Sequence, residues 1–403
     1  MSESRRSGPL SGVRIIEMGQ LIAGPFVGSR LADFGAEVIK VEPPGKGDPM
    51  RNWGKAFDGN SLWWSVIARN KKSVSIDLAQ DDGRDLVREL VREADAVVEN
   101  FRPGTLEKWG LGPKELHEIN PKLVIVRISG FGQTGPYANR PGFASVGEAM
   151  GGLRYINGFP GQVPPRSGIS LGDTLAALFA LEGLLMALYW RDAKGGTGQV
   201  VDASILESCF AMLESTLPEY DKLGIVREPM GTGLKSLAPS NVYPTREGRN
   251  LIIAANADPL FRRLTQAMGQ PELADDPRFA THIARGENSE ELDALVAAWS
   301  ATLDFGDLTA ALDEHSVVWG PINSIADVVA DPQVKAREMV VRREDPRFGE
   351  VAVPGVVPKL SETPGGIEWL GRATAGEDNA AVFGAVLGMT AEQVQALSDR
   401  NVV

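Results

Sequence analysis

A single cysteine in 403 residues, Cys209, excludes an intrachain disulfide and points to a reducing compartment, the cytoplasm. Its neighbours Ser208, Phe210 and Ala211 are the surroundings of a core thiol rather than of an activated nucleophile. Histidine is almost as scarce. His117, His282 and His315 are scattered, so neither a metal cluster nor a serine–histidine triad finds its ligands or its base, and no metal is expected. Positive charge is in deficit, with 41 Lys and Arg against 53 Asp and Glu; the net −12 argues against broad contact with nucleic acid or an anionic membrane. Long apolar runs are lacking too, because Asp173 and Glu182 interrupt the longest and Arg191 ends it, so no membrane span is expected. The N-terminal MSESRRSGPLSG has no hydrophobic signal core.

What is present is a globular composition, 43% hydrophobic and 23% charged, on a chain too long for one ordinary core, so two domains are expected. Strand candidates Arg14–Met18, Glu37–Glu42, Val74–Leu78, Ala96–Asn100 and Leu123–Ser129 alternate with helix candidates opening at Gly24-Pro25, near Trp63, at Asp81 and at Pro113. That alternation predicts an α/β, Rossmann-like domain with an open, mostly parallel sheet and ligands at the C-terminal strand ends. Two helices, Gly172–Lys194 and about Asp202–Leu217, should follow, with Pro218 stopping the second. Val226–Ser240 is rich in Gly, Pro and Met and reads as a linker into a smaller α+β domain that ends near Asn323.

The chain is organised around Arg166–Gln199. From Leu171 to Trp190 nearly every residue is apolar or small, which predicts a helix buried on all sides. Gly172-Asp173-Thr174 marks its start and puts one carboxylate at the mouth of that helix. By spacing Asp173 reads first as an N-cap, a role compatible with that of a nucleophile kept ionised by the helix dipole. Two other motifs fail on context. Gly130-Phe131-Gly132-Gln133-Thr134-Gly135 matches GxGxxG, but Pro136, Pro141 and Gly142 leave no long helix to hold a pyrophosphate. Gly168-Ile169-Ser170-Leu171-Gly172 matches GxSxG, but Pro164-Pro165-Arg166 stands where a strand should be.

The pattern Pro164-Pro165-Arg166-Ser167-Gly168 to Gly172-Asp173-Thr174, followed by the apolar helix and the Lys194–Gln199 close, resembles the class III CoA-transferases. These include formyl-CoA and carnitine CoA-transferases and the related alpha-methylacyl-CoA racemases; the resemblance runs from Leu10 to Val403. It implies Asp173 as the catalytic carboxylate and a CoA site drawn from Asn100, Phe101, Arg102, Lys108, Ile22, Ala23 and Ile76. CoA needs cations and backbone donors for its phosphates, and Glu99–Gly104 sits just after a strand. Lys71 and Lys72 read as a solvated strand edge. Gln20, Phe143 and Ala144 would line the substrate cleft, and Gly231, Thr232 and Gly233 would form a lid, their alternative being a plain flexible linker.

The resemblance further implies domains at 1–224 and 225–323, with 324–403 returning to complete the large domain, and an interlocked homodimer. Two departures narrow it. Ile22 stands where formyl-CoA transferase has a catalytic glutamine. Phe143 and Ala144 stand where racemases carry a histidine and an aspartate, and neither can exchange a proton with an α-carbon. The acid many transferases carry at Ala144 is also missing, with Glu148 one turn later as a substitute. The expected activity is CoA transfer from an acyl-CoA, with succinyl-CoA as donor and a malate-, citramalate- or mesaconate-like acceptor, and no permanently bound cofactor. A racemase or epimerase and a non-catalytic acyl-CoA binder are the alternatives.

Overall fold

The computed structural model describes residues 8–234 and 237–403. Most of the N-terminal stretch read for a signal core, Met1–Ser7, and Lys235 and Ser236 of the expected linker lie outside the described residues. The chain divides into two compact units: Met1–Leu153, Arg166–Glu214 and Pro332–Val403 form the first, and Arg154–Pro165 with Ser215–Asp331 form the second. These limits differ from 1–224, 225–323 and 324–403, since the helix after Ser215 and the 154–165 segment both go with the smaller unit.

The first unit contains β1 (Arg14–Glu17), α1 (Ala23–Asp33), β2 (Glu37–Glu42), the small hairpin β3 (Ala56–Phe57) and β4 (Asn60–Ser61), α2 (Leu62–Ile67), β5 (Lys72–Ser75), α3 (Asp81–Arg92) and β6 (Ala96–Glu99). It continues with α4 (Thr105–Lys108), α5 (Pro113–Ile119), β7 (Val124–Ser129), α6 (Ala144–Met150), α7 (Leu171–Ala193), β8 (Val200–Ser204) and α8 (Ile205–Ala211). The second unit holds α9 (Thr216–Leu223), β9 (Ser240–Pro244), β10 (Asn250–Ala254), α10 (Asp258–Ala267), α11 (His282–Glu287), α12 (Ser289–Ser300), α13 (Phe305–Glu314), β11 (Val318–Pro321) and α14 (Ile325–Ala330). α15 (Pro332–Ala336), β12 (Val340–Asp345), β13 (Gly349–Pro354), α16 (Asn379–Leu387) and α17 (Ala391–Asp399) then return to the first. α14 and α15 are two short helices split at Asp331-Pro332, where proline removes a backbone donor.

The sheet of the first unit is six-stranded, in the order β5-β2-β1-β6-β7-β8, with every pairing parallel. This is the expected α/β fold with an open parallel sheet. Alternation along the strands sends Ile16, Ile39, Val74, Val97 and Ile125 to a core shared with α3, α5, α16 and α17. Ile15, Val38, Ala96, Val98, Val124 and Val126 go to the opposite core, under α1, α7 and α8. The second unit has its own core on the antiparallel sheet β11-β10-β9.

Three expectations need correction. Asp202 lies in β8 rather than in a helix, because Val200 and Val201 extend the sheet and the Ser204 side chain then caps α8. Pro218 sits in the first turn of α9, where its missing N–H costs nothing, instead of ending a helix. And α7 is not buried all round. Its small residues Gly172, Ala176, Ala177, Ala180 and Ala187 pack inward, while Met186 and Tyr189 are 60% and 61% exposed and Leu178, Leu185 and Trp190 are exposed beside them. By length and composition alone this 23-residue helix could cross a membrane, contrary to the expectation from its interrupting charges; its inner stripe is part of the core.

The return segment is tied to the first unit by a buried ion pair. Asp33, at the end of α1, accepts from Arg69 Nε at 2.9 Å and from Asn70 Nδ2 at 3.0 Å. Arg69 also donates to Pro354 O at 2.7 Å and Asn70 to Gly366 O at 2.8 Å. Removing one partner strands a buried guanidinium, so Asp33→Ala is expected to lower unfolding free energy by about 3–5 kcal/mol in urea titration; a loss below about 1 kcal/mol would contradict this role.

Candidate active site at the carboxyl edge of the sheet

The strand order reverses between β1 and β6, and in an open α/β sheet the crevice beyond those two strand ends is where ligands bind. The segments leaving them meet there. Asn100 Oδ1 accepts from Gln20 N at 2.7 Å while Asn100 Nδ2 donates to Gln20 O at 2.9 Å. A Cβ on Gly19 would stand 2.9 Å from Asn100 Oδ1 and 3.1 Å from Gly24 Cα, so this crossing requires glycine. Both polar ends of the Asn100 amide are therefore spent on the Gln20 backbone.

Beneath the Gly19–Pro25 loop lies a buried cluster of charges. Lys40 Nζ is 2.7 Å from Asp48 Oδ2 and 3.3 Å from Glu17 Oε1, and Lys71 Nζ is 2.8 Å from Glu17 Oε2. The same groups grip the loop: Lys40 donates to Gly19 O, Asp48 accepts from Leu21 N at 3.1 Å, and Lys71 donates to Pro25 O at 2.6 Å. Burial opposes charge on Lys40, but Asp48, Glu17 and Glu42 outweigh it and hold the ammonium above the usual lysine value. For Lys71 burial wins; Glu17 and Asp48 do not make up for it and for the like charge of Lys40, and it comes down to about 8. Lys71 is thus no solvated edge, and Lys72 is half-buried against Glu37 at 3.0 Å.

Asp173 reaches this same edge through the direction of α7. The helix leads into β8, parallel to β7, so it runs antiparallel to the strands. Its C-terminal Arg191 is bonded to Asp95 just before β6, which leaves the N-terminus at the carboxyl edge. Ser170 is the N-cap and Asp173 lies in the first turn, half-buried, so the capping role expected for it falls elsewhere. Part of that role is taken by Glu148 of α6, whose Oε1 accepts from Gly172 N at 3.0 Å. Burial, then the like charge of Glu148, raise the Asp173 carboxyl to about 6 against the pull of Arg166. The helix N-terminus does not prevent that rise, and Asp173 is largely ionised only above it. Cys209 is buried in the core, its thiol pushed up to about 11 by burial, Glu148 and Asp173.

A sequence profile of CoA-transferase family III matches residues 10–379. The chain belongs to CoA-transferase family III. It is 53% identical to the succinyl-CoA–D-citramalate CoA-transferase of Chloroflexus aurantiacus, over all of both chains. It is 40% identical to the alpha subunit of the succinyl-CoA–L-malate CoA-transferase of the same organism, covering 98% of this chain and 92% of that one. Among solved structures, a CaiB/BaiF family protein from Brucella suis superposes with a TM-score of 0.83 at 35% identity, covering 94% of this chain and 100% of that one.

The remaining residues singled out in this CoA-transferase family member are placed as follows. Phe101 stands edge-on to Trp109 at 5.3 Å, and its N–H is donated to Glu99 Oε2 at 2.7 Å. Glu99 is in turn held by Arg127, which also grips Glu107, so the Asn100–Arg102 segment rests on a fixed base. Arg102 and Lys108 are exposed. Ile22 and Ala23 are buried where α1 begins. Ile76 is only 1% exposed in the core with Ile16 and Val74, so its side chain cannot reach a ligand, and its N–H is taken by Glu42 O at 2.9 Å.

Phe143 is 68% exposed and Ala144, buried, starts α6, a helix the Gly130–Gly142 stretch gave no sign of. Gly231, Thr232 and Gly233 belong to the second unit, where Gly231 N donates to Gly158 O at 2.8 Å and Thr232 Oγ1 to Asn241 Oδ1 at 2.5 Å. Lys40, Asp48 and Glu17 were not singled out from the sequence. The signal available was charge inside apolar strands, as in Glu37–Glu42.

A carboxyl raised in the fold opposes folding once ionised. Below its unfolded value of 3.8 Asp173 costs nothing; the penalty grows as pH rises from there to about 6 and is constant above. Asp173→Asn should accordingly stabilise the protein by about 2–3 kcal/mol at pH 7 and by nothing near pH 3.5, read from urea unfolding at the two pH values. Equal effects at both would refute the raised carboxyl.

Proposed function

We propose that this CoA-transferase moves CoA from succinyl-CoA to a small dicarboxylic acid, with Asp173 as the covalent carrier. A carboxylate oxygen of Asp173 attacks the thioester carbonyl; the C–O bond forms, the C–S bond breaks, and CoA leaves as thiolate from a mixed anhydride. The thiolate then attacks the aspartyl carbonyl of that anhydride, making aspartyl-CoA and releasing the donor carboxylate. The acceptor carboxylate attacks aspartyl-CoA, expels the thiolate, and the thiolate takes the acceptor acyl group, restoring the Asp173 carboxylate. Protons balance at every step.

The observation that carries this reading is a half-buried carboxylate, free of any cationic hydrogen-bond partner among the described residues, at the edge of the sheet where CoA would dock. The dicarboxylate pair is supported by the citramalate and malate transferases to which the chain is similar. Phe143 and Ala144 offer no base for racemisation. Phe101, Arg102, Lys108, Ile22 and Ala23 are proposed for the CoA site, with Asn100 fixing Gln20 beside it. Gly231–Gly233 is the proposed lid, and Thr232–Asn241 a contact it would have to break. A cytoplasmic homodimer is part of the proposal; the outward apolar face of α7 favours a partner, and the lone Cys209 a reducing compartment.

Asp173→Ala is expected to lose at least about 1,000-fold in CoA exchange between succinyl-CoA and a panel of acids, with products read by mass. Mass spectrometry of the wild type incubated with donor alone should find CoA on Asp173. Undiminished turnover by the variant would end the proposal. Loss of α-deuterium from a 2-methylacyl-CoA without any acceptor would favour a racemase instead.

A further inference from the structure

Glu148 is a buried acid, 3% exposed, that the steps above do not use. It projects from α6, whose approach to α7 requires a glycine: a Cβ on Gly172 would meet Ala144 O at 3.0 Å and Glu148 Cγ at 3.2 Å, besides Ile205 Cγ2 of α8 at 2.8 Å. Gly147 of α6 lies equally close to α8, where a Cβ would meet Ile205 Cγ2 at 2.4 Å. The contact is therefore built for backbone proximity, and it brings Glu148 Oε1 to the Gly172 N–H, one residue before the nucleophile.

We propose that Glu148 is a positioning residue for Asp173: its carboxylate fixes the first turn of α7 through Gly172 N–H and sets a second negative charge beside the nucleophile. The inference rests on Asp173 being the carrier. An ordinary aspartate is less basic than the aliphatic acids it must exchange with, and a neighbouring negative charge raises it toward or above them, making it a stronger nucleophile toward a thioester.

The other charged or titratable groups on elements packed against α7 are mostly committed elsewhere. On α1, Arg30 and Asp33 face each other and Arg69. Arg127 of β7 is held by Glu99 and Glu107, and Asp202 of β8 accepts from Gln133 N. On α8, Glu207 is bonded to Ser204, and Cys209 carries a neutral thiol. Arg166, in the segment ahead of α7, pulls the opposite way.

The test is the pH dependence of kcat/KM in the wild-type protein and in Glu148→Gln and Glu148→Ala. The acid limb of the wild type should lie near pH 6. In Glu148→Gln, whose amide oxygen still accepts from Gly172 N–H, the limb should move down by about one pH unit. Glu148→Ala should show the same shift and lose a further ~10-fold in kcat from the loosened turn. An unmoved limb in a folded Glu148→Gln overturns the proposal. Should that variant not fold, carboxyl 13C titration of the wild type and of Glu148→Ala, with Asp173→Asn assigning the signal, decides it: equal midpoints overturn it and a midpoint lower by about one pH unit in Glu148→Ala supports it. Retained turnover by Asp173→Ala would instead sink the carrier reading, which the titration leaves untouched.

Discussion

The ammonium of Lys40 is the point on which the site floor depends. A lone lysine moved into a protein interior would lose several kcal/mol of hydration and discharge. Lys40 keeps its proton because three carboxylates, Asp48, Glu17 and Glu42, surround it, and those carboxylates tolerate burial because the cation is there. The cluster is worth little as net stability against an apolar core of the same shape. Its value is geometric, since Lys40, Asp48 and Lys71 each spend a hydrogen bond on the Gly19–Pro25 backbone. A loop carrying Leu21 at φ +63° holds that unfavourable conformation only where its surroundings over-determine it.

Asp48 and Asp173 show how one side chain type serves two purposes. Burial pushes both up. At Asp48 the Lys40 cation 2.7 Å away outweighs burial and holds the carboxyl below the usual aspartate range, making it a fixed counter-charge. At Asp173 the largest charged influence is an acid, Glu148, instead, and its carboxyl stays high. A fold that wanted only stability would place a cation at 173. In the proposed carrier role, uncompensated charge leaves an oxygen lone pair free to attack a carbonyl, and folding free energy would be given up for reactivity.

Much of the sheet was legible because its strands are short, β-branched and punctuated by glycine and proline. The helix expected to open at Pro113 does open there, while Val74–Leu78 is offset, because Lys72 and Ser73 are strand residues whose polar ends find Glu37 and Glu42. Polar residues inside strands defeat a pattern argument that assigns charge to solvent, and Lys71 was misread for that reason. Asp173 could be singled out, but its environment could not. Glu148 lies 25 residues upstream, and only the packing of α6 on α7 at Gly172 makes it a neighbour.

α7 carries the deepest lesson about apolar helices. Its sequence is apolar on every side, and burial on every side was the natural reading. The structure sorts most of those residues by size: Gly172, Ala176, Ala177, Ala180 and Ala187 pack inward, joined toward the C-terminal end by Leu184 and Leu188, and Leu185, Met186, Tyr189 and Trp190 face outward. Bulk at Ala176, Ala177 or Ala180, the inner positions nearest the N-terminus, would lift that end of the helix off the sheet and carry Asp173 away from the strand ends. Bulk on the outer side has no such limit and gains free energy only against another surface. The two faces therefore obey separate constraints, one set by the height of Asp173 above the sheet and the other by whatever covers the helix.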